Sequence, residues 1–189
     1  MMRIADIARA GRARFTRQMA CTRIHDLLTS HAHVIGDAEA AVDGDVRLSY
    51  ATLSDQVDGI AKALIAQGIA PGDRVATLAP SSLDVWVTML AATSIGAVWM
   101  GLNPGYQGPE YAYLLDDATP RLVFARDRYD ERDYLDELQQ LGPNVATFVA
   151  LGETCGRALA FADFVERGRT LSDADLAARR AAVDPEDIA

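Results

Sequence analysis

The side chains best suited to chemistry in this sequence are few and widely separated. His25, His31 and His33 lie close enough together to suggest a metal site, but no thiol or carboxylate has the spacing to complete one. The adjacent Asp116 and Asp117 could act as general acid and base, yet they lie at a predicted helix end before a turn. We therefore interpret the histidines as exposed loop residues, and we predict neither a catalytic residue nor a metal site.

Motifs that bind phosphate or activate a nucleophile are also missing. The sequence contains no GxGxxG, no GxxxxGK[ST] and no GxSxG. The first two place backbone N–H groups around a phosphate at the start of a helix, and the third presents a nucleophilic serine. The chain by itself shows no place to hold ATP.

One loop has a position that favours ligand contact. A predicted strand from Ala97 to Leu102 is followed by Asn103, Pro104, Gly105 and Tyr106. Open α/β sheets bind ligands just outside the carboxyl ends of their strands, which is where this loop lies. The alternative is a turn that only joins the strand to the next helix.

The elements that position this loop follow from the spacing of apolar residues and turns. Asp43 and Gly44 suit the tight turn of a hairpin between residues 40–42 and 46–48. Strands are predicted at 73–78, 97–102, 122–125 and 145–151, and helices at 50–67, 81–94, 109–117, 129–140 and, with short breaks, 161–182. Strands that alternate with helices pair in parallel through right-handed crossovers. The sequence therefore predicts an α/β fold, a mostly parallel sheet with helices on both faces.

Composition limits the classes of function. A chain of 189 residues that is 50% hydrophobic can bury one core, and its net charge of −9 argues against a nucleic-acid partner. Cys21 and Cys155 lie outside any disulfide or zinc pattern, which favours reduced thiols in a cytoplasmic protein. No run approaches the roughly 20 apolar residues that span a membrane.

The first 23 residues differ from the rest of the chain. They contain six arginines and one acidic residue, Asp6. An arginine-rich leader can be an organelle transit signal or a helix at a membrane surface, and the alternative is a solvated terminal helix. We separate this leader, residues 1–23, from a domain at residues 24–189.

Six motifs occur in a fixed order across about 70 residues. They are Leu48-Ser49-Tyr50, PGDRVA at Pro71 to Ala76, Pro80-Ser81-Ser82, an apolar helix ending at Ser94, GAV at Gly96 to Val98 with LNPGY at Leu102 to Tyr106, and LDDA at Leu115 to Ala118. In this order and spacing the chain resembles the N-terminal part of the adenylate-forming, AMP-binding enzymes of the ANL superfamily. Within that superfamily it looks most like the acyl-CoA synthetases, or fatty-acid–CoA ligases.

The resemblance implies a parent enzyme that adenylates a carboxylate with ATP and Mg²⁺ and then transfers the acyl group to CoA. It implies that residues 24–189 are the N-terminal subdomain and end before the family's ATP phosphate loop. We therefore expect this chain alone to be an inactive scaffold that binds no cofactor, with the missing remainder of the ligase as its partner.

The resemblance also suggests a border for CoA. In relatives that form CoA thioesters, the loop after this strand lies near the adenine end of the coenzyme. The residues implied are Asn103, Pro104, Gly105 and Tyr106, with Arg126, Arg128 or Arg132 for the 3′-phosphate of CoA.

Two other functions remain open from the sequence. The chain could be a non-catalytic partner or dimerisation module, because a fragment that lacks its sheet neighbours exposes apolar surface and associates with itself. It could also be an unrelated small α/β nucleotide-binding protein. The sequence does not identify the carboxylic acid, nor does it distinguish CoA from a carrier protein as the acceptor.

Overall fold

The computed structural model describes residues 23–187, which form a central parallel sheet covered by helices. The helices are α1 (Ile24–Ile35), α2 (Tyr50–Ala66), α3 (Leu83–Ser94), α4 (Gly108–Ala118), α5 (Tyr134–Leu141), α6 (Phe161–Arg167) and α7 (Asp173–Ala181). The strands are β1 (Glu39–Asp43), β2 (Val46–Ser49), β3 (Arg74–Leu78), β4 (Val98–Leu102), β5 (Leu122–Ala125), β6 (Arg128–Tyr129), β7 (Arg132–Asp133), β8 (Thr147–Ala150) and β9 (Leu159–Ala160). A 3₁₀ turn, Gly168–Thr170, joins α6 to α7.

The main sheet has the order β4-β3-β5-β8-β9, and all of its pairs are parallel. Successive side chains along each strand point to opposite faces of the sheet, as the pleat of a strand requires. Val75, Leu122 and Phe124 enter a core that includes residues of α2 and α3, whereas Ala76 and Val123 enter a second core that includes residues of α4 and α5. This two-faced sheet confirms the predicted α/β class.

The order of the strands places a topological switch in the middle of the sheet. The chain leaves β3 for α3 on one face, and it leaves β5 for α5 on the opposite face. Adjacent strands whose loops depart in opposite directions open a crevice at their carboxyl ends. The crevice between β3 and β5 and the loop after β4 therefore lie at the same edge of the sheet, which we call the carboxyl edge.

Local signals explain most of the element boundaries. Ser49 caps α2 as predicted, with its Oγ accepting a hydrogen bond from the N–H of Thr52 at 3.2 Å. Gly68 follows α2 with a φ of +85°, the left-handed conformation that glycine adopts without a steric penalty. The hairpin between β1 and β2 also forms as predicted, around Gly44 at a φ of +56°.

Three sequence expectations were wrong. The helix predicted over 129–140 begins only at Tyr134, because Asp130 and Glu131 both adopt positive φ and turn the β6–β7 hairpin. The strand β9 (Leu159–Ala160), the fifth in the main sheet, has too few residues to show an apolar pattern, and the sequence analysis did not predict it. The histidine segment is the helix α1 rather than a loop.

His25 is buried within that segment, contrary to the expectation that the histidines are exposed. Burial lowers the pKa of its ring to about 4, against the opposing effect of Asp26. His33 is exposed, and His31 stacks on the ring of Tyr50 with 4.9 Å between ring centroids. Of the predicted leader, residues 1–23, all but Arg23 lie outside the described residues.

Candidate functional site at the carboxyl edge of the sheet

The loop 103–106 leaves β4 and is held by a single arginine from the β6–β7 hairpin. Arg132 donates from Nη1 to the carbonyl oxygen of Tyr106 at 2.6 Å and to that of Pro104 at 3.5 Å. Its Nε and Nη2 donate to the two carboxylate oxygens of Glu137, each at 2.8 Å. This two-pronged bond raises the pKa of Arg132, so the guanidinium is a fixed cation.

Two tyrosines, Tyr111 and Tyr134, also bond the loop and contact Arg132. The Arg132 guanidinium lies 5.3 Å from the ring centroid of Tyr111 and 4.9 Å from that of Tyr134. The Tyr134 hydroxyl donates to the Pro104 carbonyl at 2.9 Å, and the Tyr111 hydroxyl donates to the Asn103 carbonyl at 2.8 Å. We call Arg132, Glu137, Tyr111 and Tyr134 the arginine clamp. Burial raises the pKa of Tyr111 to about 12, which keeps its hydroxyl protonated and donating.

The loop also stabilises its own turn. The Asn103 side-chain oxygen accepts the N–H of Gly105 at 2.9 Å, and the Asn103 carbonyl accepts the N–H of Tyr106 at 3.0 Å. Asparagine favours this position because its side chain can bond the backbone two residues ahead. The predicted border residues therefore form one rigid turn whose carbonyls at 103, 104 and 106 face inward to the clamp.

The three arginines predicted for a phosphate occupy different places. Arg132 is committed to the clamp, as described above. Arg126 forms an ion pair with Asp84 of α3 across the crevice between β5 and β3. Arg128 pairs with Asp133 at 3.3 Å, and both side chains are 64% exposed. Each arginine thus has a carboxylate partner, and among the three Arg128 is the one most open to solvent.

The loop between β3 and α3 forms the other half of the carboxyl edge. We call this loop together with the first two residues of α3, residues 79–84, the switch loop. Asp43 of β1 caps α3 by accepting the N–H of Leu83 at 2.9 Å. Ser82 occupies the cap position, but its buried hydroxyl oxygen has no hydrogen-bond partner among the described residues. Burial raises the pKa of Asp84, and the neighbouring Arg126 only partly opposes this effect.

An open cavity of about 470 Å³ continues from the switch loop between α2, α3 and α6. Its lining combines apolar side chains such as Leu48, Ile60 and Val87 with three aspartates. The three aspartates are Asp43, Asp55 and Asp84. The cavity is therefore suited to apolar or cationic groups and not to a phosphate.

The helices that begin at the carboxyl edge have acidic residues in their first turns. Acidic residues occupy the first turn of each of the four helices that leave it: Asp84 in α3, Glu110 in α4, Asp136 with Glu137 in α5, and Asp163 in α6. Phosphates bind at helix N-termini through free backbone N–H groups and a positive dipole, and the negative charge of these carboxylates opposes the binding of a further anion there. Among residues 23–187, no helix that begins at this edge is free of an acidic first turn, and no group of three or more His, Cys, Asp or Glu side chains is placed to hold a metal ion.

Comparison with protein families decides the lineage. The model of the AMP-binding enzyme family matches residues 28–189, which is most of the chain. The chain belongs to this family. The ordered motifs from Leu48 to Ala118 lie entirely within the matched residues, as the resemblance predicted.

Relatives of the chain include proteins named as CoA ligases and as peptide synthetases. Salicylyl-CoA synthase / salicylate adenylyltransferase of Streptomyces is 31% identical over 128 residues, which are 66% of this chain and 23% of that protein. The mitochondrial medium-chain acyl-CoA ligase ACSF2 of Homo sapiens is 31% identical over 135 residues, 66% of this chain and 22% of that protein. Enterobactin synthase component F of Escherichia coli is 32% identical over 106 residues, 56% of this chain and 8% of that protein.

Solved structures of the family share the fold. A protein described as a long-chain-fatty-acid CoA ligase from Rhodopseudomonas palustris superposes with a TM-score of 0.69 at 26% identity, covering 75% of this chain and 36% of that one. The chain thus spans about a third of that structure and less than a quarter of the relatives named above. Among residues 23–187, no helix is long and apolar enough to cross a membrane.

The structure brings together residues that sequence reasoning had left apart. Arg132 was a candidate phosphate ligand, but it holds loop 103–106 together with the buried Tyr111. Glu137 and Tyr134 were not singled out at all. The only available signal was Glu137, five residues after Arg132, and that spacing indicates a pair only once the short β6–β7 hairpin is known.

Proposed function

We propose that this AMP-binding chain is the N-terminal scaffold of an ATP-dependent, AMP-forming acyl-CoA ligase. The parent enzyme would adenylate a carboxylate with ATP and Mg²⁺ and then transfer the acyl group to the thiol of CoA. The proposal is supported by relatives named as CoA ligases and by a CoA-ligase-style LNPGY loop held rigidly at the ligand-binding edge of the sheet. We place the protein in the cytoplasm.

We propose that residues 1–189 alone do not catalyse adenylation. The observation behind this is the carboxylate at the first turn of α3, α4 and α5, where a doubly wound sheet would otherwise hold a phosphate. The test is ATP–pyrophosphate exchange by the purified chain with a panel of aliphatic and aromatic carboxylates. We expect no exchange above background, and exchange that depends on both ATP and a carboxylate would contradict the proposal.

We propose further that Asn103, Pro104, Gly105 and Tyr106 form one border of the CoA site. Because the carbonyls of this turn bond inward to the arginine clamp, the part of the turn that remains for a ligand is its outer surface. Arg128 is the arginine that a 3′-phosphate could reach with the least displacement of an existing partner, since its pair with Asp133 is exposed.

Nuclear magnetic resonance can test this border directly. Titration of the chain with CoA should shift the amide resonances of Gly105 and Tyr106, and dephospho-CoA should produce smaller shifts near Arg128. An Arg128→Gln variant should abolish the difference between the two ligands. An Arg121→Gln variant, which removes an exposed arginine from its pair with Asp73, should retain it. Shifts confined to other regions, or equal for both ligands in the native chain, would contradict the assignment.

Adenylation for a carrier protein is the second candidate. Enterobactin synthase component F and the vanchrobactin synthetase VabF of Vibrio anguillarum, 31% identical over 111 residues, are both among the relatives. In that case the loop 103–106 would contact a carrier protein or no acceptor at all. The same titration distinguishes the two, because CoA would then leave the loop resonances unchanged.

A further inference from the structure

Residues 126–133 connect β5 to α5 and contact both loops of the carboxyl edge, and we call them the β5–α5 connection. At its start, the side chain of Arg126 forms an ion pair with Asp84 in the switch loop. Near its end, Arg132 holds loop 103–106 by donating to two of its carbonyl oxygens. The connection is therefore a covalent link of a few residues between the contact to one loop and the contact to the other.

The backbone at the start of the connection is fixed between two strands. The N–H of Arg126 donates to the carbonyl of Leu78, the last residue of β3, at 2.8 Å. The next side chain, Asp127, packs directly against Gly152 after β8, where glycine leaves the space that a Cβ would otherwise take from the carboxylate. From this fixed point, the Arg126 side chain reaches across the crevice to the start of α3.

The middle of the connection turns in a conformation that its own residues disfavour. Tyr129 pairs with Arg132 across the β6–β7 hairpin, and the two residues between them, Asp130 and Glu131, have φ values of +50° and +64°. Left-handed backbone is uncommon for residues other than glycine, and two in succession persist only where surrounding contacts hold them. The geometry of the hairpin therefore depends on the contacts that anchor its two ends.

We propose that Arg126 and Asp84 are positioning residues for loop 103–106. Their ion pair anchors the start of the connection to α3, the anchored connection holds the strained turn, and the turn places Arg132 against the carbonyls of the loop. This role differs from the phosphate contact that the sequence suggested for Arg126. For the parent enzyme it rests on the function proposed above, in which loop 103–106 borders the CoA site, and it would couple the switch loop to that border.

Nuclear magnetic resonance of the chain without any ligand tests the positioning role. Arg126→Met removes the charge and keeps much of the side-chain length, so it should shift the amide resonances of Gly105 and Tyr106. The amide of Tyr106, which is bonded to the Asn103 carbonyl, should exchange about threefold faster, as expected when an ion pair of this exposure is lost. Arg126→Lys keeps the cation and should retain the native resonances and exchange rate.

Two further variants distinguish this mechanism from a general loss of stability. Asp84→Asn breaks the same ion pair from the other side, so the double variant with Arg126→Met should change the loop no more than Arg126→Met alone. The matched control is Arg121→Met, which removes the exposed arginine that pairs with Asp73 at the amino end of β5. It should leave the loop amides unchanged, and circular dichroism should show that all variants are folded.

The strained turn can be tested separately with Glu131→Gly. This change gives the turn an Asp-Gly sequence, which two-residue hairpin turns of this kind prefer, so the hairpin no longer depends on its anchor. In that background, Arg126→Met should have a smaller effect on the Tyr106 amide than it has in the native chain.

Three results would each overturn the proposal. They are equal effects of Arg126→Met and Arg121→Met on the loop amides, additive effects of Arg126→Met and Asp84→Asn, and an effect of Arg126→Met that is the same with and without Glu131→Gly. The CoA border is tested apart from this, by adding CoA to the native chain. Loop amides that respond to Arg126→Met but not to CoA would support the positioning role and contradict the border.

Discussion

The two loops at the carboxyl edge of the sheet contain comparable family motifs but are stabilised in very different ways. Loop 103–106 has its carbonyls bonded by Arg132, Tyr111 and Tyr134, and its asparagine bonded to its own backbone. The switch loop has a buried serine hydroxyl with no partner among residues 23–187 and an aspartate whose pKa is raised by burial. The carbonyls of loop 103–106 thus have donors within the chain, whereas the Ser82 hydroxyl of the switch loop has no partner among residues 23–187.

The difference indicates that loop 103–106 acts as scaffold and that the switch loop can accept a further contact. A turn whose carbonyls are bonded internally has mainly its outer surface left for contact with a partner. A buried hydroxyl without a partner carries a desolvation cost that a neighbouring chain or ligand could remove. We therefore expect substitutions in the arginine clamp to affect folding strongly and those in the switch loop to affect it little.

Removal of the clamp arginine should have the largest effect. Arg132→Met keeps much of the side-chain length but leaves Glu137 half-buried without its partner and the Tyr106 carbonyl without its donor. Loss of hydrogen bonds to charged groups at such a site should lower the free energy of unfolding by about 3 kcal/mol. Urea unfolding followed by circular dichroism measures this change.

Arg128→Met is the matched control for the clamp. It removes an arginine from the same hairpin whose partner, Asp133, is equally exposed. Exposed pairs contribute little, so the change should be below about 0.5 kcal/mol. Equal effects from the two substitutions would contradict the distinction between a clamp arginine and a surface arginine.

The tyrosine hydroxyls of the clamp should contribute less than its arginine. Tyr134→Phe deletes only the bond from the hydroxyl to the Pro104 carbonyl, which should cost about 1 kcal/mol. Tyr113→Phe, on the exposed side of α4, should cost nothing measurable in the same urea experiment. If Tyr134→Phe were also neutral, Arg132 and Tyr111 would hold the loop without the Tyr134 hydroxyl.

The serine caps offer a direct comparison between satisfied and unsatisfied hydroxyls. Ser172 caps α7 by accepting the N–H of Asp175 at 3.2 Å, so Ser172→Ala should destabilise the chain by about 1 kcal/mol. Ser82→Ala removes a buried hydroxyl that has no partner among the described residues, so stability should stay the same or rise slightly. A loss at Ser82 equal to that at Ser172 would show that the Ser82 hydroxyl is bonded in solution, for example to water.

Sequence reasoning predicted the parts of this molecule that depend on local patterns. The β1–β2 hairpin, the cap at Ser49 and four of the five strands of the parallel sheet were identified, because turns, caps and apolar periodicity are properties of neighbouring residues. The ordered motifs also identified the family. The arginine clamp was missed, because it joins residues of β7, α4 and α5 to the loop after β4, and these are adjacent only after the crossovers have formed.

The smallest expected effect distinguishes the switch loop by its dependence on pH. The pKa of Asp84 is raised in the folded chain, so the folded state binds the proton more tightly and stability falls as pH rises through that pKa. Asp84→Asn removes this penalty and should be slightly more stable than the native chain at pH 7, by less than about 0.5 kcal/mol because Asp84 is 37% exposed. The advantage should vanish in acid, where Asp84 is protonated in both states.

Asp173 provides a control of opposite sign. Its hydrogen bond from Lys62 lowers its pKa, so the ionised form stabilises the fold above the ordinary carboxyl pKa and that stability is lost as pH falls. Asp173→Asn should therefore be less stable than the native chain at pH 7 and approach it in acid. Urea midpoints measured for both variants across this range should diverge from the native chain in opposite directions at pH 7. Divergence in the same direction would mean that the Arg126 pair, rather than burial, dominates at Asp84.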